Sequence, residues 1–421
     1  MLELVKLSPR KLEVGMFVAG LDRAWSETPF KAPGFTVQTQ FDINQLSGLC
    51  EFVFVDKHKS LTLELDADGP ESGPSKATKR AIPLPRPRLE KSQYLEGREL
   101  TPYKDQTDWA KEYPQAKESV ERLYESVKRM FRSMDSGDRL DLLSVKQSVD
   151  PVIDSVARNP DTCIWLARQK QSDQYTHQHS VACAIWSVVI GRQLGLPKTD
   201  LRSLAIGGLL FDIGKLRVSD ELLTSPRRLS GAELELVRQH VYFGAELARE
   251  KSNVNEDITA MILQHHERYD GSGYPDGLRD DEIHVFARIA GIVDCYDALT
   301  THRSYAPAIA PSEAIKQLHE VKDLDFQAEI IEEFTQAVGM YPAGTLVELS
   351  SGQVAVVVSN YRARRLRPRV ILLLDEHKRP LASLRWLDLS RATHDERDKP
   401  LNIVTSLAPG SHGIDLATID F

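Results

Sequence analysis

Residues 265–277 read His265-His266-Glu267-Arg268-Tyr269-Asp270-Gly271-Ser272-Gly273-Tyr274-Pro275-Asp276-Gly277, and their reading governs that of the chain around them. The two histidines and the glutamate close a helical pattern. Three glycines and a proline then open a loop whose backbone angles few other residues tolerate. Neighbours on a helix diverge by about 100°. That divergence would let the two rings serve two metals a few ångströms apart. Alone, a histidine is more often a satisfied core or surface residue than a ligand, and a glycine-rich turn is more often a surface connection. The stretch gains force only with partners elsewhere.

Four partners occur on predicted helices: His179, Asp212, His240 and Asp294. His179 is in line with Cys183, Trp186, Ile190 and Leu194, so it points into the core. Asp212 continues the stripe of Leu201, Leu204, Ala205 and Gly208, and its helix is expected to stop at Gly214. His240 lies at the edge of an apolar arc. Asp294 follows Ala287, Ala290 and Gly291, small residues that let a neighbouring helix approach closely. A lone Asp at a helix end is more often a cap. A core-facing carboxylate, however, is costly unless it is paired or bound to metal. Two such carboxylates and four inward histidines form a nitrogen and oxygen donor set suited to iron, manganese or zinc.

Around this centre the pattern separates into regions. Residues 1–65 read as a small β-rich domain, with strands at Phe17–Leu21, Phe35–Val37 and Phe52–Val55. Residues 66–112 read as a linker, rich at first in Pro, Gly, Ser and charge. Residues 113–340 are helical almost throughout. Ser230 and Glu233 have capping-box spacing, and Leu234, Val237, Val241, Ala245 and Ala248 follow as one stripe. Residues 341–421 form a β-rich extension with strands at Thr345–Leu349, Val354–Ser359 and Val370–Leu374, and the last twenty residues carry no strong signal. The expected fold is mainly α, a helical bundle with small β-rich N-terminal and C-terminal regions.

Composition excludes several alternatives. The chain has 421 residues and a formal net charge of −8, which argues against broad nucleic-acid binding. An anionic substrate would need locally placed cations. Four scattered cysteines, Cys50, Cys163, Cys183 and Cys295, fit a reducing compartment rather than a disulfide framework. No stretch approaches the roughly 18 apolar residues of a membrane span. A cytoplasmic protein without membrane or nucleic-acid partners is expected, and its oligomeric state is not legible.

His-His-Glu followed by Asp-Gly-Ser-Gly-Tyr-Pro is the signature of HD-GYP domains, and the chain resembles that family from Tyr175-Thr176-His177-Gln178-His179-Ser180 to Phe326. The match takes in Asp212-Ile213-Gly214-Lys215, the lone His240, Ala287-Arg288-Ile289, Asp294 and Asp297-Ala298-Leu299. Leu21-Asp22-Arg23-Ala24-Trp25, Thr28-Pro29-Phe30 and Gly34-Phe35 resemble an uncharacterised domain often fused in front of it. The resemblance implies an HD-superfamily helical bundle that hydrolyses the bacterial messenger cyclic di-GMP. It also implies two divalent metals, iron or manganese first and zinc also fitting. Their ligands would be His179, Asp212, His240, His265, His266 and Asp294. Asp212, shared by both metals, and the motif lysine Lys215 would be catalytic. Gly273, Tyr274, Pro275 and Arg303 would bind substrate. The protein partners it implies are signalling proteins such as diguanylate cyclases.

Three departures bear on activity. The chain reads Leu209-Leu210-Phe211-Asp212, so phenylalanine stands where the family's HD histidine belongs and one metal position is left weak or empty. Ala306 stands where many relatives carry a nucleotide-contacting lysine. Tyr175 stands where a third-metal glutamate occurs in some members. An inactive domain acting as a nucleotide receptor or protein-interaction module is the alternative, and an HD hydrolase for another nucleotide is a third reading.

Overall fold

The computed structural model describes residues 88–419 apart from 136–141, 170–174, 226, 228, 252–253, 303–306, 362–363 and 396, and before residue 88 only parts of 4–56. The chain divides into two compact units, Met1–Lys79 and Arg80–Phe421. In the first, strands β1 (Leu4–Leu7), β2 (Phe17–Leu21), β3 (Phe35–Thr36) and β4 (Val53–Asp56) form an antiparallel sheet in the order β1-β4-β2-β3. Val18, Val53 and Val55 are fully buried there with Met16, Val37 and Leu46. β1 was not anticipated.

The second unit carries thirteen α-helices among the described residues. A short helix α1 (Lys91–Tyr94) lies within the stretch read as linker. Residues 88–108 form a strap bound to the helical core. Arg98 pairs with Asp257 at 2.6 Å and Asp200 at 3.0 Å while covering the Phe286 ring, and the Thr101 amide donates to the Gly195 carbonyl. Helices α2 (Trp109–Asp135), α3 (Leu142–Arg158) and α4 (Pro160–Arg168) lead to the buried pair α5 (Tyr175–Leu194) and α6 (Lys198–Leu210). Along α5, His179, Cys183, Trp186, Ile190 and Leu194 are all buried, as their spacing predicts.

Beyond α6 come α7 (Asp220–Leu223), α8 (Gly231–Arg238), α9 (His240–Lys251), α10 (Glu256–Gln264), α11 (Val285–Thr300), α12 (Pro311–Glu320) and α13 (Ala328–Val338). The capping box forms: the Glu233 amide donates to Ser230 Oγ and the Ser230 amide to Glu233 Oε2. The stripe expected to follow as one face is broken at Gln239. Leu234 is 40% exposed, whereas Val241, Ala245 and Ala248 are buried. The close helix approach expected at Gly291 is present, since a Cβ there would stand 2.9 Å from the His265 carbonyl oxygen.

The C-terminal region is a five-stranded antiparallel sheet of β5 (Leu346–Leu349), β6 (Val354–Ser359), β7 (Arg369–Leu374), β8 (Pro380–Asp388) and β9 (Ile403–Leu407), in the order β8-β7-β6-β5-β9. β6 alternates its burial: Val356 and Val358 join the helical core, Ala355 and Val357 the sheet's other core. That two-sided burial explains its unbroken apolar run. β8 and β9, the sheet's edges, were not anticipated, and β9 lies in the stretch read as featureless. No helix among the described residues is long and apolar enough to cross a membrane.

Candidate metal centre

α6 ends at Leu210, earlier than expected, and Phe211 caps it in a right-handed helical conformation. Asp212 therefore sits outside the helix, before the 3-10 turn Ile213–Arg217. Gly214 makes this corner possible: a Cβ there would fall 1.9 Å from the His240 carbonyl oxygen and 2.4 Å from the Gly244 nitrogen. The start of α9 thus lies directly against the turn that carries Asp212.

The six residues singled out in the sequence come together. One carboxylate oxygen of Asp212, Oδ1, lies 3.4 Å from His240 Nε2 and 3.7 Å from His265 Nε2. Its other oxygen, Oδ2, lies 3.6 Å from His179 Nε2, which is itself 3.2 Å from Asp294 Oδ1. Two donor groups result: Asp212, His240, His265 and His266 on one side, and His179, Asp212 and Asp294 on the other, each with its ligand atoms within 4.8 Å of one another. Asp212 belongs to both. Asp212 Oδ1, His240 Nε2 and His265 Nε2 are buried without a hydrogen-bond partner. Such groups are costly unless something compensates them, and neutral imidazoles facing a carboxylate are what a divalent transition metal takes. The residues fit the group.

Three imidazoles are oriented from behind. His240 Nδ1 lies 2.8 Å from the Val237 carbonyl oxygen, and His265 Nδ1 3.1 Å from those of Met261 and Ile262. His179 Nδ1 lies 2.7 Å from Asp297 Oδ2. For His240 and His265, donation from Nδ1–H to a carbonyl leaves the Nε2 lone pair facing the centre, and the Asp297 carboxylate fixes the orientation of the His179 ring. Asp297 also accepts from Trp186 Nε1 at 3.3 Å and is 1% exposed. The sequence placed Asp297 in a motif without a role. The signal was its position one helical turn beyond Asp294.

Electrostatics follow burial. Desolvation pushes the Asp212 carboxyl up, but Lys215, His265 and His240 outweigh it and hold the group well below its usual range. Lys215 Nζ lies 2.5 Å from Asp212 Oδ2. Burial lowers His240 to about 4, so it is neutral at physiological pH, and burial with His265 depresses His266 as well. Burial also disfavours a charged His179, but Cys183, Asp294 and Asp297 overcome it and raise the group well above its ordinary value. Phe211, 1% exposed, stacks on His265 at 4.7 Å and meets His179 edge-on at 6.0 Å. It offers no lone pair.

The glycine-rich loop forms the rim. Glu267 accepts from the amides of Asp276, Gly277 and Leu278 at 2.8 to 3.1 Å and so pins the loop. Gly273 packs against the Glu267 and Arg268 backbone, and the Tyr274–Pro275 peptide is cis. Tyr274 stacks on His266 at 4.7 Å and 23°. Arg303 and Ala306 lie outside the described residues.

Fold and centre together define a helical HD-type domain built around a cluster of metal-ligating residue types. Residues 155–330 match the HD domain family, 4–144 a domain of unknown function (DUF3391) and 346–406 the KOW domain associated with HD domains. A cyclic di-GMP phosphodiesterase of Pseudomonas aeruginosa is 33% identical over 94% of this chain and 91% of its own length. A 3'3'-cGAMP-specific phosphodiesterase of Vibrio cholerae is 31% identical over 54% of this chain and 50% of its own. A cyclic di-GMP phosphodiesterase of Thermotoga maritima is 31% identical over 38% of this chain and 44% of its own. The chain belongs to the HD-GYP family.

Proposed function

We propose that this chain is a metal-dependent phosphodiesterase acting on a cyclic dinucleotide, cyclic di-GMP first, in cytoplasmic bacterial signalling. The observation that carries the reading is the set of buried, partnerless donors, Asp212 Oδ1, His240 Nε2 and His265 Nε2, converging beside the Tyr274 loop. In this reading Asp212, His240, His265 and His266 hold one divalent ion, and His179, Asp212 and Asp294 furnish a second position. Ions bound there lower the pKa of water and neutralise phosphate oxygens as Lewis acids.

The chain's own groups do the rest. Lys215 keeps Asp212 ionised and sets a positive charge beside it where a phosphate enters. Asp297 fixes the orientation of the His179 ring and Glu267 holds the loop, so donors and rim are in place before substrate arrives. Gly273, Tyr274 and Pro275 offer backbone and an aromatic ring to the nucleotide, and Arg303 is assigned to a phosphate by motif alone. Purified protein supplied with Fe²⁺ or Mn²⁺ should convert cyclic di-GMP to linear dinucleotide or GMP. No product from cyclic di-GMP or 3'3'-cGAMP overturns the reading.

Phe211 supports a second reading. Its apolar ring stands where the family resemblance places a histidine, so one metal position would lack a donor. A receptor without turnover, working through bound nucleotide or a signalling partner, would still bind cyclic di-GMP in calorimetry while releasing no product.

A further inference from the structure

We propose that Arg238 is a substrate-binding residue of this centre, one that grips the phosphate of a cyclic dinucleotide not held at the metals. The inference deepens the phosphodiesterase reading and rests on it. Arg238 ends α8, two residues before His240. Its guanidinium carbon lies 4.9 Å from the centroid of the Tyr274 ring, which itself stacks on His266. The cation is thus linked to the centre through a single ring. One corner of the fork is occupied, with Nη1 donating to Glu235 Oε1 at 2.6 Å. Its Nε is buried and has no hydrogen-bond partner.

The Nε lies too deep to meet a ligand, but the side chain as a whole is 38% exposed, so the rest of the guanidinium is open to an anion at the rim. Three other described cations nearby are committed. Lys215 bonds Asp212, while Arg268 donates to the His265 and Glu267 carbonyls and covers Phe326. Arg227 pairs with Glu233. A chain of net charge −8 must draw in an anionic substrate with local cations. A cyclic dinucleotide carries two phosphates, and ions at the Asp212 centre engage one. Beyond the Arg303 that the motif assigns to a phosphate, a guanidinium held over an aromatic ring suits the second.

The full chain, chelator-treated and Mn²⁺-loaded in parallel, should be titrated with cyclic di-GMP and with 3'3'-cGAMP as wild type, Arg238→Ala and Arg238→Lys. Arg238→Ala should weaken binding of both nucleotides by the same factor, about tenfold, as expected for one charge-assisted hydrogen bond. Arg238→Lys should restore only part, and metal content and melting temperature should not change. The loss should persist in a Tyr274→Leu background, where an effect exerted only through Tyr274 would vanish. Wild type that binds neither nucleotide overturns the phosphodiesterase reading and this inference together. Wild type that binds, with Arg238→Ala binding within twofold of it, overturns this inference alone. A loss confined to cyclic di-GMP places the fork on a guanine edge and overturns the phosphate assignment.

Discussion

Asp212 turns one carboxylate oxygen toward His240 and His265 and the other toward His179, and the two sides are unequally furnished. On the Oδ1 side four residue donors converge, and two of the imidazoles are braced from behind by backbone carbonyls. On the Oδ2 side three donors converge, its one imidazole is braced by the Asp297 carboxylate, and the Phe211 ring, which stacks on His265 of the other side, lies 6.0 Å from His179 in a T-shaped arrangement. The contrast teaches that two groups of ligand-type side chains sharing one carboxylate can be furnished by different means. The carbonyls behind His265, those of Met261 and Ile262, belong to a helix buried in the core, whereas Val237, behind His240, lies on a helix with no buried residue. The Oδ2 side depends on particular side chains, so single substitutions reach it.

The largest effects should come from the fuller side. His265→Ala should reduce bound metal to background in plasma mass spectrometry and remove turnover, while His179→Ala should leave most of the tightly bound metal in place. Equal losses would erase the distinction between the sides. Next in size, Asp297→Asn should weaken metal affinity on the Oδ2 side about 10–100-fold, the usual consequence of losing a partner behind a ligand. It should leave the Oδ1 side unchanged, as calorimetry in a Phe211→His background would resolve.

The smallest effect is a control remote from both sides. Burial pushes the Asp257 carboxyl up, but His284 and Arg98 outweigh it and hold the group at about 2. Because its ordinary value is near 3.9, its contribution to stability is complete above about pH 4 and is lost as pH falls toward 2. Asp257→Asn should therefore cost about 1 kcal/mol at pH 7, a figure discounted for partial exposure. The difference from wild type should fade between pH 4 and 2 in chemical denaturation, with metal content unchanged.

Much of this was legible in the sequence. Helical spacing placed His179 among core residues, and the adjacent histidines followed by glycines located both a ligand pair and the loop beside it. The β6 run stood out because both faces of that strand are buried. What escaped notice has physical causes. The edge strands β8 and β9 are largely solvent-exposed, so neither shows the alternation that marks a half-buried strand. The helix break at Gln239 is invisible to periodicity because α8 and α9 each keep a helical pattern across it. The strap of residues 88–108 is held by ion pairs and backbone bonds to distant residues, which composition cannot reveal. The role of Asp297 depends on α5 crossing α11, a tertiary fact. Arg238 looks like any exposed cation at a helix end until Tyr274 is placed beside it.

The central claim, that the two sides differ in completeness because of Phe211, is tested most directly by counting metal. Wild-type protein and Phe211→His, loaded with Mn²⁺ or Fe²⁺ and desalted, should be compared by plasma mass spectrometry. One tightly held ion per chain in wild type and two in Phe211→His is the predicted result. The same stoichiometry in both proteins would contradict it.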